Sequence, residues 1–342
     1  MVAETRLLRA RQSLLKKVEL HLKKGENLFA EKELGKTLLN ATDFLLIDFL
    51  YKVMKGQRSG TTLVRWKMTK SKILNFLWWN YRKADLLLTD IAFSFADRLF
   101  DHLTTKDACG YNAAMKHIKN VKQIIDLAVN NDWITRNPIG KYRCIYVEQP
   151  RHELDMHDIL KLLNADLGEP LSTVRDVFLF CCFTGFAYED ARKLKEENLI
   201  LDSEGKKWIS AKRSKTNEDE TVPVLPLVEH IMIRYQEHPA RVINGYLVPT
   251  YSNQYNNDQL KKIASACDIQ KELTSHIARY TFAITVCLEN GVPLNVVSKL
   301  LGHRSIRTTE KYAKVTFKKI SDNMQALSQK LFTIDGTLKI PE

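Results

Sequence analysis

The sequence predicts a mainly α protein of two domains, one wholly helical and one mixed, mostly helical with a small β-hairpin. Three observations carry this. Between residues 61 and 135 apolar side chains recur at helical spacing; Ala114, Ile118, Val121, Ile125 and Ala128 form one stripe at four-three intervals. Beyond residue 152 the helical pattern is interrupted at about 207–225. There Trp208-Ile209-Ser210-Ala211 and Thr221-Val222-Pro223-Val224 flank a polar Asn217-Glu218-Asp219-Glu220 turn and read as paired strands. Finally, 342 residues with 44% hydrophobic content suit about two domains, each with a core of its own.

Taken in order, residues 1–57 are rich in Leu, Lys, Glu and Ala, with Lys23-Lys24-Gly25-Glu26-Asn27 as the turn cluster, and read as charged amphipathic helices. Gln57 to Thr61 reads as a linker ending in a helix cap. Residues 58–145 form the helical domain. Its first helix carries Arg65, Lys67, Lys70 and Lys72 beside Trp66, Trp78 and Trp79, and the tryptophans are assigned to the core. On the 111–133 helix, Asn112, Lys116, Lys119 and Gln123 lie opposite the apolar stripe and supply donors for phosphates and base edges. Asn137-Pro138-Ile139-Gly140 closes this region, and an extended basic linker follows.

The second domain, residues 152–342, opens on a helix marked by Leu154, Ile159, Leu160, Leu162 and Leu163, and the run from Val177 to Phe183 is apolar enough to be core. Gly291 and Pro293 break the pattern late in the chain. Leu294, Val297, Leu300 and Leu301 then form a short buried helix that stops at Gly302. A tail helix puts Ile320, Met324, Leu327 and Leu331 on one stripe, able to pack on its own domain.

Charge and cysteine usage narrow the function classes. A net charge of +12 favours a polyanionic partner, because each Lys or Arg set against a phosphate releases condensed counterions. Cys109, Cys144, Cys181, Cys182, Cys267 and Cys287 lack the paired spacing of a zinc site and read as reduced, mostly buried thiols. Neither a secretory signal nor a bilayer-long apolar run is found; the stretch from Phe44 to Val53 is short and interrupted by Asp48. No membrane association is expected, and the cytoplasm is the expected compartment.

Reactive side chains gather between residues 274 and 312. His276 and Arg279, three apart, share one helix face and can reach a single anion, which suits a phosphate. Gly302 leaves His303 just past a helix end, its ring free to turn into a cleft, and Tyr312 follows on a polar segment. The set holds a nucleophile, two imidazoles and a guanidinium, with no carboxylate cluster of the kind that binds metal.

These residues resemble the catalytic box of the tyrosine recombinases, or phage integrase family, through His276-Ile277-Ala278-Arg279, the Leu300-Leu301-Gly302-His303 turn, the Thr308-Thr309 pair and Tyr312. Residues 178–199 resemble the family's earlier box, and 208–226 resemble the hairpin that carries its lysine, here Lys215. Residues 58–150 resemble its helical core-binding domain. The branch most resembled is that of conjugative-transposon and related bacterial mobile-element integrases.

The resemblance implies a site-specific recombinase that acts on double-stranded DNA through a 3'-phosphotyrosyl intermediate, without metal, ATP or other cofactor. Tyr312 would be the nucleophile, Arg279 a phosphate clamp and His303 a donor to the phosphate oxygens. His276 would be general base or hydrogen-bond partner, and Lys215 the acid at the leaving oxygen. It further implies a homo-oligomer, a tetramer on paired sites held by the tail helix, acting at the bacterial nucleoid with an accessory DNA-bending or directionality factor. The arm-binding β domain of many relatives is not expected in residues 1–57. One position departs from the pattern. Ala187 stands where the family usually has an arginine after its Thr-Gly turn, and Arg175 first, Arg192 second, are the candidates to replace it. A type IB topoisomerase and a non-catalytic DNA-binding regulator remain alternatives.

Overall fold

The computed structural model describes residues 36–148, 152–312, 317–333 and 335–339, without the side chains of 317–323. The helices expected before residue 36, and the side chain of Ile320, lie outside the described residues. The chain divides into two compact units, Met1–Gln149 and Pro150–Glu342.

The first unit is helical: α1 (Leu38–Met54), α2 (Gly60–Tyr81), α3 (Phe95–Thr105) and α4 (Tyr111–Asn130). Thr37 and Ser59 cap α1 and α2, each accepting a backbone N–H of the first turn. The expected stripe of α4, from Ala114 to Ala128, is wholly buried. It packs with Leu38 and Ala41 of α1 and with Phe76 and Phe95, so residues on both sides of position 57 share one core. One buried polar link crosses it, where Asn120 donates to Thr69 Oγ1 at 2.9 Å and Thr69 meets His117 Nδ1 at 3.0 Å.

Trp78 and Trp79 correct the expectation that they are core: they are 64% and 51% exposed. Ile73, Phe76 and Leu77 take the inward face of α2, and the rings at 78 and 79 therefore fall outside it.

The second unit is built around α6 (Leu171–Thr184), with α5 (Met156–Asn164) before it and α7 (Tyr188–Ala191) after it. Residues 173–182 of α6 are all buried, which explains a helix apolar on nearly every side. A three-stranded antiparallel sheet follows, β1 (Leu199–Leu201), β2 (Lys207–Lys212) and β3 (Asp219–Pro223), in the order β1-β2-β3. The expected hairpin is present, but Asp219 and Glu220, expected in its polar turn, belong to β3; β1 adds a third strand. Next come α8 (Pro226–Arg234), α9 (Pro239–Asn244), α10 (Asn253–Ala266) and α11 (Ser275–Thr281). The last runs directly into a π-helical segment, Phe282–Leu288. The helices α12 (Leu294–Leu300), α13 (Arg307–Glu310) and α14 (Phe317–Leu331) complete the unit.

The register of the hairpin decides what reaches the interior. Ile209 pairs with Val222 and Ala211 with Glu220, so these four share a face. Ile209, Val222 and Glu220 on that face have no solvent exposure. Among the cysteines, Cys181, Cys182 and Cys287 are buried, the other three are half-buried, and all six are free thiols.

Candidate active site

Two glycines allow three segments to meet. Gly185 ends α6 with φ +77°, and a Cβ there would lie 2.4 Å from Phe282 Cδ1, so the turn sits directly on the end of α11. Gly302, at φ +53°, ends α12; a Cβ there would lie 3.2 Å from Asp219 O and 3.4 Å from Glu220 Cβ. The end of α12 is thus seated on β3.

Arg279 occupies the junction and is 2% exposed. Its Nη1 donates to Gly185 O at 2.6 Å and to Glu220 Oε1, and its Nη2 donates to Leu301 O. Both carbonyls are left over from helix ends, so one side chain satisfies acceptors that two helices cannot. A guanidinium has five N–H groups. The three bonds use both of Nη1 and one of Nη2, which leaves Nε–H and the other Nη2–H as a fork of the right shape for two oxygens of one phosphate.

Glu220 is the counter-charge. Burial pushes its carboxyl up to about 7 from 4.5, and the attraction of Arg279 offsets only part of that. Its Oε2 is buried without a hydrogen bond among the described residues.

His303 lies just past α12, its N–H donating to Ser298 O at 3.0 Å. Nδ1 of the ring meets Thr309 Oγ1 at 2.8 Å, and Thr309, the second residue of the Thr308-Thr309 pair, thereby fixes the imidazole. Burial, then Arg279 and Arg213, push its pKa down to about 4, so the ring is neutral at neutral pH. In the tautomer in which the Thr309 hydroxyl donates to Nδ1, the proton sits on Nε2 and can be given to an anion.

The Tyr312 ring stacks on His303 at 6.1 Å with 7° between the planes. It also meets Tyr280 edge-on at 4.8 Å, and Tyr280 meets His276 at 5.1 Å. The four rings form a continuous row. Tyr312 is 6% exposed, whereas His276 lies on the exposed side of α11.

Other expected residues stand apart. Lys215 is exposed between β2 and β3. Arg175 is not brought to the site, which corrects its place as first candidate for the missing guanidinium: it donates to Asp176 and to Ala165 O at the start of α6. Ten residues separate it from Gly185, roughly 15 Å of helix at 1.5 Å per residue. Arg192 pairs with Glu189 at 3.3 Å, one turn back.

In the first unit Lys116, Lys119 and Gln123 are exposed on α4, and Arg65 and Lys67 on α2. Asn112 instead holds the Val147 backbone through two hydrogen bonds, 2.7 and 2.9 Å, and Lys70 pairs with Asp43 at 2.5 Å. Neither of the last two keeps its polar group free, as the sequence reading expected. That reading also passed over Glu220 and Arg213, two charged residues of inward parity on the hairpin. Their parity with Ile209 and Val222 was the available signal.

A phosphate-shaped arginine fork, a neutral imidazole and a tyrosine stacked upon it, in a helical frame with a small sheet, define a tyrosine recombinase. Residues 152–319 match the phage integrase family and residues 45–144 its SAM-like domain. The chain belongs to that family. It is 25% identical over 236 residues to the tyrosine recombinase XerD of Listeria innocua, covering 64% of this chain and 76% of that protein. To the tyrosine recombinase XerC of Listeria monocytogenes it is 35% identical over 100 residues, 29% of this chain and 33% of the relative. The fold is similar to that of a lambda integrase dimer bound to a COC' core site, with a TM-score of 0.66 at 16% identity over 81% of this chain and 95% of that one. A Tn1549 transposon integrase in complex with a circular intermediate DNA gives 0.64 at 15% identity, over 86% and 100%.

Proposed function

We propose that this site-specific recombinase cuts and rejoins double-stranded DNA through Tyr312. The phenol oxygen bonds to the scissile phosphorus while the bond from phosphorus to the 5'-oxygen breaks, leaving a 3'-phosphotyrosyl link and, after proton uptake, a 5'-hydroxyl. That hydroxyl attacks the link on a partner strand and restores a phosphodiester. Bond energy is conserved throughout.

An ordinary phenol, with pKa near 10, is a weak nucleophile at neutral pH, so the surroundings must remove its proton and stabilise the charge of five-coordinate phosphorus. The fork of Arg279 takes two phosphate oxygens. Nε2 of His303 donates to one of them. His276, which the Tyr280 ring separates from Tyr312 in the DNA-free chain, is the proposed general base or hydrogen-bond partner once DNA is bound. Lys215, on the hairpin tip, supplies the proton to the leaving 5'-oxygen once DNA draws the tip inward. The reading is carried by one observation: the stack of Tyr312 on His303, with Arg279 acting on the same imidazole and keeping two N–H groups unbonded.

Lys116, Lys119 and Gln123 on α4, with Arg65 and Lys67 on α2, are the exposed groups proposed to meet DNA, mainly at phosphates. Met324, Leu327 and Leu331 of α14 are 56%, 45% and 43% exposed. The occupant proposed for that stripe is a second copy of the chain, within a tetramer on paired sites; an accessory DNA-bending or directionality factor completes the assembly.

The test uses a nicked duplex carrying the sequence that the full chain enriches from a random duplex pool. Wild type is expected to form a denaturation-resistant adduct that Tyr312→Phe cannot form while binding equally in gel shift. Binding without any adduct would favour a DNA-binding regulator.

A further inference from the structure

We propose that Arg213 supplies the scissile phosphate with the second guanidinium that position 187 does not carry. This rests on the recombinase reading above. Arg213 follows β2 directly, and its N–H donates to Glu218 O at 2.9 Å, continuing the ladder by one more pair beyond Lys212 and Asp219. Strand parity puts its side chain on the same face as Ala211 and Glu220, which is the face that meets Arg279.

The root of the side chain is pinned. Asp190, on α7, accepts the N–H of Ser214 at 3.0 Å and thereby ties the hairpin to the turn that carries Ala187. The guanidinium itself is half-buried, its Nε is fully buried without a hydrogen bond, and it makes no ion pair among the described residues. Arg175 and Arg192, by contrast, both have carboxylate partners.

The charges around Arg213 are those of a group suited to an anion. Burial depresses its pKa, Arg279 depresses it further, and Glu220, Asp190 and Tyr312 act in the opposite sense. His303 feels both arginines. Two guanidinium groups therefore act on one region whose buried carboxylates are Glu220, half-neutralised near pH 7, and Asp190. Like charges are costly at such range unless an anion lies between them. A phosphodiester seated against Nε2 of His303 and the fork of Arg279 provides that charge, and it also satisfies the unbonded Nε–H of Arg213.

The test follows adduct formation on the nicked duplex described above, with the full chain and two forms of the scissile group, the phosphodiester and a methylphosphonate. The latter lacks one charged oxygen and so needs one guanidinium less. Arg213→Ala is expected to slow cleavage of the phosphodiester about 10²–10³-fold, the range for loss of one donor to an oxyanion, with gel-shift affinity reduced far less than the rate and the unfolding midpoint not lowered. On the methylphosphonate the deficit should shrink at least tenfold, roughly one donor's worth of charge stabilisation. Arg213→Lys should recover only part of the rate, because an ammonium lacks the fork, and Ala187→Arg added to Arg213→Ala should recover more. If Arg213→Ala cleaves at the wild-type rate while Tyr312→Phe is inactive, the proposal is wrong and the recombinase reading stands. Equal deficits on both substrates would mean a structural role and overturn it as well. Absence of any Tyr312-dependent adduct from wild type would overturn both together.

Discussion

Replacing Glu220 with Gln should remove a pH dependence from the stability of the second unit. The carboxyl titrates near 7 in the folded protein against 4.5 ordinarily. Below pH 4.5 folded and unfolded chains both hold the proton; between the two values only the folded chain does. Stability from this group is therefore fully present below 4.5 and is lost as pH rises through 7. At 1.36 kcal/mol per pKa unit, the change between pH 5 and pH 8 is about 2–3 kcal/mol. His303 works in the opposite direction. Its folded pKa of about 4 against 6.5 means that its contribution grows as pH rises from 4 to 6.5. Wild type alone would then show a flattened profile, so the informative quantity is wild type minus Glu220→Gln. Urea unfolding can be read from the ¹⁹F signal of 5-fluorotryptophan at position 208, which reports the second unit alone, since the other tryptophans precede residue 150. With m of about 1–3 kcal/mol per molar urea, the midpoint difference between the two proteins should change by about 1 M from pH 5 to pH 8. A difference that stays constant over that range would refute the upward shift of Glu220.

Arg279→Ala should destabilise the same unit by about 3–5 kcal/mol, because it strands Glu220 and two helix-end carbonyls in the interior; urea unfolding at pH 8 measures it. Gly185→Ala should cost about 1–3 kcal/mol through its contact with Phe282 and the positive φ, and Phe282→Leu added to it should restore the steric part but not the backbone part. The ring of His303, followed by ¹H–¹³C correlation of its Cε1 in the DNA-free protein, should titrate with a midpoint near 4; a midpoint at 6 or above would remove its role as a neutral donor.

The local parts of the site were legible because they are local. Arg279, His303 and Tyr312 are set by the length of α11, the stop at Gly302 and the Thr308-Thr309 turn, all readable as spacing and punctuation. Arg213 and Glu220 reach the site through the pairing of β2 with β3, and their neighbours depend on what the hairpin packs against. Parity along a strand says which residues share a face; it does not say that the face meets an arginine 59 residues later. Arg175 misled for a related reason. It is a candidate through the family resemblance, which carries no distance, and ten residues along α6 set it far from the Gly185 turn. The exposed pair Trp78 and Trp79 reflects rotational phase, which the inward residues of α2 fix and composition does not.

Arg279 bonds to Gly185 O, Glu220 and Leu301 O, and so joins three chain segments as well as presenting a fork to DNA. A descendant of this chain that abandoned recombination could not discard it without loosening its own interior. Retention of that arginine in a related sequence consequently speaks first for an intact scaffold. Arg213, whose guanidinium supports nothing else among the described residues, would be free to drift as soon as selection on cleavage ceased. Its presence or loss is the more sensitive mark of whether such a descendant still cuts.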